Sequence, residues 1–176
     1  GSRTTDWDAD AVVLAVPQFV AGRLLREDPA RAARRSFRYG PWLVVNLHLE
    51  RQPEHRGFPR AWDSVLVASE SLGYVDAGHQ LDRDDRRGTV WTWYLPVTDP
   101  DERAARPAML GAPFAQVQRA VLDDLRCAHP NIDDVVVHME AWRWGHGMVK
   151  PTPGFLWESD ARARAAAPLG AVHFAH

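Results

Sequence analysis

The sequence predicts an α+β protein with a mixed, largely antiparallel sheet and, packed on one face of that sheet, one long helix and a few short helices. Most strand-like segments follow one another with no helix between them, as residues 41–50 and 64–69 do. Residues 114–128 instead repeat apolar side chains at helical spacing. The 176 residues are 45% hydrophobic and 25% charged, which is ordinary for a globular chain.

The N-terminal segments predict one strand and two helices. Residues 11–16 are a continuous apolar run stopped by Pro17, which is typical of a strand buried on both faces. Residues 18–28 predict a short helix. In the next segment arginines recur at helical spacing, so a helix there would carry one basic face. We expect this face to be solvated. Its residues are Arg31, Arg34, Arg35 and Arg38.

The middle of the chain predicts four strands. Residues 64–69 and 73–79 form a hairpin, and residues 41–50 and 89–97 alternate between two faces. The apolar face of the first alternating strand is Leu43, Val45, Leu47 and Leu49. The second has Trp91, Trp93 and Leu95 on one side and Val90, Thr92 and Tyr94 on the other.

The C-terminal half alternates helices with strands. Residues 100–113 predict a polar connection with room for one helical turn, and residues 114–128 predict the long helix. Residues 133–144 predict a long strand. A short polar helix at residues 161–167 and a last strand at residues 170–175 complete the chain.

Composition excludes several function classes. The net charge of −2 gives no general attraction to nucleic acid or to an anionic membrane. The longest apolar run, residues 11–17, is far shorter than the roughly 20 residues that span a bilayer. The one cysteine, Cys127, excludes an intrachain disulfide and is expected to be buried and inert. Gly1-Ser2 looks like an expression scar with no signal peptide after it, so we predict a cytoplasmic protein.

Nucleotide and metal motifs are weak. Gly145-His146-Gly147 lacks a third glycine and leads to Pro151 rather than into a helix, so it does not predict a dinucleotide site. In each of two histidine–glutamate pairs the residues are two positions apart, which places both side chains on one strand face. Two such pairs on neighbouring strands could form a metal site. We favour hydrogen-bonded pairs over a metal site for these residues, which are His48, Glu50, His138 and Glu140.

The densest candidate site lies in residues 141–154. Trp142 and Trp144 share a strand face with Arg143 opposite, and the glycines that follow permit close backbone approach. A flat ligand could therefore lie against an indole. A glycine bulge with both tryptophans in the core explains the same residues equally well.

Several short motifs follow one another along the chain in a specific order. They are Val12-Val-Leu-Ala-Val-Pro17, Pro41-Trp-Leu-Val-Val-Asn-Leu47, Trp62-Asp63, Leu72-Gly-Tyr74, Thr92-Trp-Tyr-Leu-Pro96, Arg143-Trp144, Pro151-Thr-Pro-Gly154 and Gly170-Ala-Val-His-Phe-Ala-His176. Together they resemble the flavin-containing amine oxidase-like FAD-dependent oxidoreductases.

The resemblance implies a substrate-binding domain fragment whose FAD-binding Rossmann segments are missing. Residues 3–40 would be a stub of an FAD-domain strand with connecting helices, 41–160 the substrate-binding domain, and 161–176 a return strand. The parent would bind FAD, whereas this chain alone would bind none and be inactive. Its partners would be the missing FAD-binding domain and a small-molecule substrate. The strands at 11–16 and 170–175 would pair with each other, fray, or drive self-association.

Within such a parent, the pattern of residues 141–154 predicts most of the candidate site residues. Trp142 and Trp144 would form an aromatic wall, His146 and Arg143 would orient polar substrate groups, and two further candidates at a strand end are His79 and Gln80. Many relatives carry a lysine where this chain has Val45-Asn46, so desaturation or another flavin hydride transfer stays as open as amine oxidation. A stand-alone small-ligand binding or dimerisation module with a Trp-rich sheet is the alternative.

Overall fold

The computed structural model of the protein describes residues 3–57, 59, 61–80, 88–99, 101–157 and 160–175. It divides into two compact units, Gly40–Met148 and the combination of Gly1–Tyr39 with Val149–His176. The assignment of residues 3–40, 41–160 and 161–176 to functional domains stays a prediction. In chain order the elements are β1 (Val12–Leu14), α1 (Gln18–Leu24), α2 (Arg31–Arg35), β2 (Tyr39–Leu49), β3 (Asp63–Ser64), β4 (Tyr74–Asp76), a 3-10 turn (Ala77–Gln80), β5 (Thr89–Pro96), α3 (Glu102–Gly111), α4 (Phe114–Arg126), α5 (Ile132–Val135), β6 (Val136–Val149), α6 (Ala161–Ala166) and β7 (Val172–Phe174).

The larger unit is built on a five-stranded sheet with the strand order β3-β4-β5-β2-β6. Strands β2 and β5 are antiparallel and pair Val45 with Trp93 and Leu47 with Trp91. Strand β4 is antiparallel to both of its neighbours. These pairings confirm the predicted α+β class and the largely antiparallel sheet. Helix α4 is the longest of the described helices with 13 residues, although α3 reaches 10.

The core of this unit lies between one face of the sheet and the helices. Strand β2 buries every second residue, and Val121 and Leu125 of α4 are completely buried against that face. Each fully buried aliphatic side chain contributes roughly 1.5–3 kcal/mol. The apolar face predicted for residues 41–50 is therefore confirmed, as are Val117, Val121 and Leu125 of the stripe predicted for residues 114–128. The first member of that stripe, Phe114, is 45% exposed, so its predicted burial is wrong. The buried core residues are Leu43, Val45, Leu47, Leu49, Tyr74, Trp91, Trp93, Met109, Val117, Val121, Leu125, Ile132, Val135 and Met139.

Helix α3 occupies the segment that the sequence predicted to be a polar connection. The Asp101 side chain accepts hydrogen bonds from the backbone N–H groups of Arg103 and Ala104, two of the donors that a helix start leaves without partners. Met109 is buried in the core. The prediction was wrong because Pro107 lies inside the helix and most of its other side chains face water, which weakens the helical pattern.

Strand β6 begins later and ends later than the strand predicted at residues 133–144. Ile132–Val135 form a short helix, and Ile132 and Val135 are both buried. Residues three apart share a face on a helix but point to opposite faces on a strand. The burial of both therefore favours the helix, and the strand covers Val136–Val149.

The predicted hairpin is present but short. Asp63 pairs with Val75 and Ser64 with Tyr74, and residues 65–69 have left the sheet. Gly73 has a φ of +86°, and a Cβ atom there would lie 1.9 Å from the carbonyl oxygen of Ser64. Only glycine fits this turn.

The smaller unit contains a two-stranded parallel sheet of β1 and β7. Val13 lies opposite His173 in its register. Pairing of these strands with each other was one of the predicted outcomes, and it is confirmed. The prediction that the first strand is buried on both faces is wrong, because Val13 is 64% exposed.

Arg34 contradicts the expectation of a solvated basic face, because it is fully buried in the smaller unit. Its guanidinium donates to Asp28 Oδ2 at 2.5 Å, to Gln18 Oε1 at 2.7 Å and to the carbonyl oxygen of Ala165. It also lies 3.6 Å from the ring centroid of Phe174, close enough for a cation–π contact. One side chain thus connects α1, α2, α6 and β7.

Cys127 is exposed, not buried as predicted. The apolar stripe of α4 that faces the sheet ends at Leu125, and a residue two positions further points away from that stripe. No helix among the residues that the structure describes has the length and apolar character needed to cross a membrane.

A buried aromatic cluster holds a neutral histidine. The Tyr74 and Trp91 rings stack with centroids 3.9 Å apart, and His129 packs against both. His129 Nδ1 is 2.9 Å from the carbonyl oxygen of Glu54, which only accepts, so Nδ1 carries the proton. Nε2 therefore accepts from the Tyr74 hydroxyl at 2.7 Å. Burial, with a smaller contribution from neighbouring His55, lowers the pKa of His129 to about 4, although the hydrogen bond to Glu54 opposes this shift.

Replacement of Arg34 by methionine is expected to destabilise the chain by about 3–5 kcal/mol, because it leaves the buried Asp28 carboxylate without its partner. Urea unfolding followed by far-UV circular dichroism measures the change. Arg35→Met is the matched control: Arg35 is exposed on the same helix, so its replacement should cost no more than about 0.5 kcal/mol. Equal effects of the two variants would contradict the role given to Arg34.

The chain is expected to lose stability as the pH falls from about 6.5 to about 4. The unfolded His129 binds a proton in this window and the folded one does not, so acid favours unfolding by up to about 3 kcal/mol. Urea unfolding at pH 4.5 and pH 7.5 measures this difference. His129→Gln should reduce it, whereas His79→Gln, at an exposed histidine, should leave it unchanged. An unchanged difference in His129→Gln would refute the assignment.

Candidate functional site

The second face of the five-stranded sheet, opposite α3 and α4, is the candidate site. We call it the open face, and it comprises Trp42, Val44, Asn46 and His48 of β2, Val75 of β4, Val90, Thr92 and Tyr94 of β5, and Trp142 and Trp144 of β6. These residues alternate along their strands with residues that face the core. Because the core fixes the other face, it also fixes the direction of these side chains.

Trp142 and Trp144 form an aromatic surface on the edge strand. Their indoles stack with centroids 6.4 Å apart and an interplanar angle of 16°. They are 52% and 53% exposed, so they do not belong to the core. The structure thus rules out the alternative in which these tryptophans are core residues.

Arg143 lies on the other face of β6. Its guanidinium donates a 2.9 Å hydrogen bond to the carbonyl oxygen of Ala112, between α3 and α4. Arg106 of α3 similarly donates to the carbonyl oxygen of Gly145 at 2.6 Å. The structure therefore places Arg143 apart from the tryptophans, in a contact that holds the helices on the sheet.

The two glycines that flank His146 interrupt the alternation of β6. A Cβ atom on Gly145 would face Arg106 and Leu110 of α3, whereas one on Gly147 would lie 2.9 Å from Trp42 Cβ on the open face. In a regular strand both would face the same side. The strand thus carries an irregularity at His146, and burial together with the Arg106 cation lowers the pKa of this histidine.

His79 and Gln80 lie in the 3-10 turn after β4. The turn is held by the buried Asp76, which accepts hydrogen bonds from Gly78 N–H and the Thr89 hydroxyl. His79 is exposed, and the side chain of Gln80 lies outside the described part. Strands β5 and β2 separate β4 from β6, which is about 14 Å across the sheet. The structure does not bring this pair next to the tryptophans.

The open face also holds contacts that the sequence analysis did not identify. Trp42 stacks on Tyr94 with ring centroids 6.3 Å apart. Thr92 Oγ1 donates to Asn46 Oδ1 at 2.9 Å, and the Tyr94 hydroxyl donates to Asp63 at 3.3 Å. Burial, followed by the Asp63 carboxylate, raises the pKa of Tyr94. The alternation of residues 41–50 and 89–97 indicated the face, but only the strand register shows the partners.

The two histidine–glutamate pairs come near each other at one end of the open face. The His48 and His138 ring centroids are 5.3 Å apart, and His138 Nε2 lies 3.5 Å from Glu140 Oε1. Among the described residues, no group of three or more His, Cys, Asp or Glu side chains is arranged to hold a metal ion.

The architecture is that of an antiparallel sheet covered by helices on one face and lined by aromatic side chains on the other. A family model for flavin-containing amine oxidoreductases matches residues 1–175. The chain belongs to this family. No curated protein matches it.

Two solved structures illustrate the similarity in fold. The first is cyclohexylamine oxidase from Brevibacterium oxydans IH-35A, with a TM-score of 0.55, 18% identity and coverage of 94% of this chain. The second is a putrescine oxidase triple mutant with redesigned cofactor binding, with a TM-score of 0.61, 19% identity and coverage of 93% of this chain. The chain spans 36% of the length of each.

The described residues do not form a cradle for the pyrophosphate of FAD. Gly145-His146-Gly147 lies within β6, whereas a dinucleotide cradle requires a glycine-rich turn between a strand and a helix N-terminus. What they form is a surface on which a ligand can lie.

Proposed function

We propose that this chain is the substrate-binding part of a flavin-dependent oxidoreductase and that its open face is one wall of the substrate site. The observation that carries the proposal is the half-exposed Trp142–Trp144 stack on the sheet face opposite the helices. Membership of the flavin-containing amine oxidoreductase family supports it.

The physical support is the apolar area that the open face presents. Covering a further 100 Å² of the two indoles with an apolar ligand would contribute on the order of 2.5 kcal/mol. Stacking against the planar rings adds a preference for flat or saturated cyclic groups. The adjacent Trp42–Tyr94 stack offers a second surface of the same kind.

The redox chemistry would belong to other parts of a longer parent. FAD would carry the hydride there, and the residues of this chain would bind and orient the substrate. The partners would be the rest of the parent chain and a small molecule. Both solved neighbours are named for small amines, yet amine oxidation and other flavin hydride transfers fit the open face equally. A single cysteine suits the cytoplasm as the location.

Within this proposal the predicted site residues take different roles. Trp142 and Trp144 would contact the substrate, and His146 would offer a polar group at the irregularity beside them. Arg143 would act through the helices that it holds on the sheet. His79 and Gln80 would lie at the margin of the site.

In the full-length parent, Trp142→Ala and Trp144→Ala are each expected to lower kcat/KM at least tenfold while the flavin content stays unchanged, because each removes a stacking surface. Steady-state kinetics and the flavin absorbance of the purified enzyme measure the two quantities. Trp157→Ala, which removes an equally large but almost fully exposed side chain outside the sheet, should change neither. Unaltered kinetics in both sheet variants would remove the open face from the substrate site.

The 176-residue chain alone is expected to retain no FAD, because its described residues form no dinucleotide cradle. The test mixes the chain with FAD, removes free cofactor by desalting and records the absorbance at the flavin wavelength. The full-length parent, treated in the same way, is the positive control. A stoichiometric yellow complex of the short chain would contradict the division of labour proposed above.

A further inference from the structure

Two glycines lie inside strand β6, and their backbone does not require them. Neither Gly145 nor Gly147 has a positive φ, so the backbone at both positions accepts a residue with a side chain. A glycine inside a strand weakens it and often marks a place where another group approaches closely. The reason for each glycine must therefore lie in what its missing side chain makes room for.

Only Gly147 has a neighbour that excludes a side chain. A Cβ atom there would lie 2.9 Å from Trp42 Cβ and 3.1 Å from both Cγ and Cδ1 of the same residue. Carbon atoms pack best at about 3.5–4.0 Å, so this contact is too close. A Cβ atom on Gly145 would lie 3.6 Å from side-chain carbons of Arg106 and Leu110, which is an ordinary contact. Trp42 thus occupies the space that a side chain at position 147 would need.

Trp42 is also in contact on the side away from β6. Strand β2 lies between β6 and β5, and the ring of Tyr94 on β5 stacks on the Trp42 indole. The Tyr94 hydroxyl donates to Asp63 Oδ1 at 3.3 Å, which restrains Tyr94 in turn. A side chain at position 147 would push Trp42 toward Tyr94 or out of the sheet face, and either movement would change the Trp42–Tyr94 stack.

We propose that Gly147 is a positioning residue of the open face: because it has no side chain, Trp42 can lie against β6 and keep its stack with Tyr94. This stack and the Trp142–Trp144 stack would together bind the apolar part of a substrate. Planar apolar rings are the substrate class that such surfaces favour. The inference rests on the proposed function, since it assigns a role within the same surface.

The first test compares Gly147→Ala with Gly145→Ala in the 15N-labelled 176-residue chain. The indole N–H signal of Trp42 is assigned by its loss in Trp42→Phe. It is expected to shift in Gly147→Ala and to stay in place in Gly145→Ala, because only the first variant introduces a close contact. The signal of Trp157, which is 89% exposed, is the internal control. An unmoved Trp42 signal in Gly147→Ala would overturn the inference.

The second test measures ligand binding with coumarin, a planar and mostly apolar bicyclic molecule. Coumarin is titrated into each variant while the indole N–H signals of Trp142 and Trp144 are followed. Gly147→Ala is expected to raise the apparent Kd at least fivefold, and Gly145→Ala less than twofold. Trp42→Ala, which leaves Gly147 intact, should also raise the Kd at least fivefold.

The double variant shows whether Gly147 acts through Trp42. Adding Gly147→Ala to Trp42→Ala should change the apparent Kd less than twofold, because no indole remains to be displaced. A purely structural effect of Gly147 on the sheet would instead persist in the Trp42→Ala background. Additive effects of the two substitutions would therefore refute the positioning role.

The same titrations distinguish this inference from the proposed function. If coumarin shifts the Trp142 and Trp144 signals with the same Kd in the wild-type chain and in Gly147→Ala, the open face binds ligands and the role of Gly147 is wrong. If neither signal responds to coumarin in the wild-type chain, the inference and the proposed function both fail.

Discussion

The burial of only one face of the five-stranded sheet determines both the fold and the candidate site. Leu43, Val45 and Leu47 pack toward α4, and their burial contributes several kcal/mol in total. A register shift of one residue would turn these side chains to the open face. The core therefore holds Asn46 and the residues beside it in position, although none of them contributes to it.

The parts of the fold that the sequence predicts are those whose packing repeats regularly. Strand β2 and helix α4 each bury one regular stripe against a single partner, so their periods of two and 3.6 residues are visible along the chain. Helix α3 lacks that regularity because most of its side chains face water around one buried methionine, Met109. The local sequence pattern predicted that Arg34 faces solvent. This prediction failed because its partners come from segments as distant as Ala165, which no local pattern includes.

The candidate site was predictable in composition but not in arrangement. The spacing of Trp142 and Trp144 was enough to place them on one face, and their exposure excludes the core alternative. The pairs on the open face depend on β2 lying beside β5, and the partners Asn46 and Thr92 are 46 residues apart in sequence. The role of Arg143 likewise depends on a long-range neighbour, the carbonyl oxygen of Ala112.

The two faces of the five-stranded sheet carry different kinds of facing pairs. On the buried face, the facing pairs of β2 and β5 are apolar, as with Val45 and Trp93, and this is the choice that stability favours. On the open face the same two strands carry a hydrogen-bonded polar pair at their centre. Local departures from the stability optimum concentrate where a protein binds or reacts. The half-exposed Trp142–Trp144 stack is such a departure, and the Trp42–Tyr94 stack lies on the same face, so we locate ligand recognition at these aromatic surfaces.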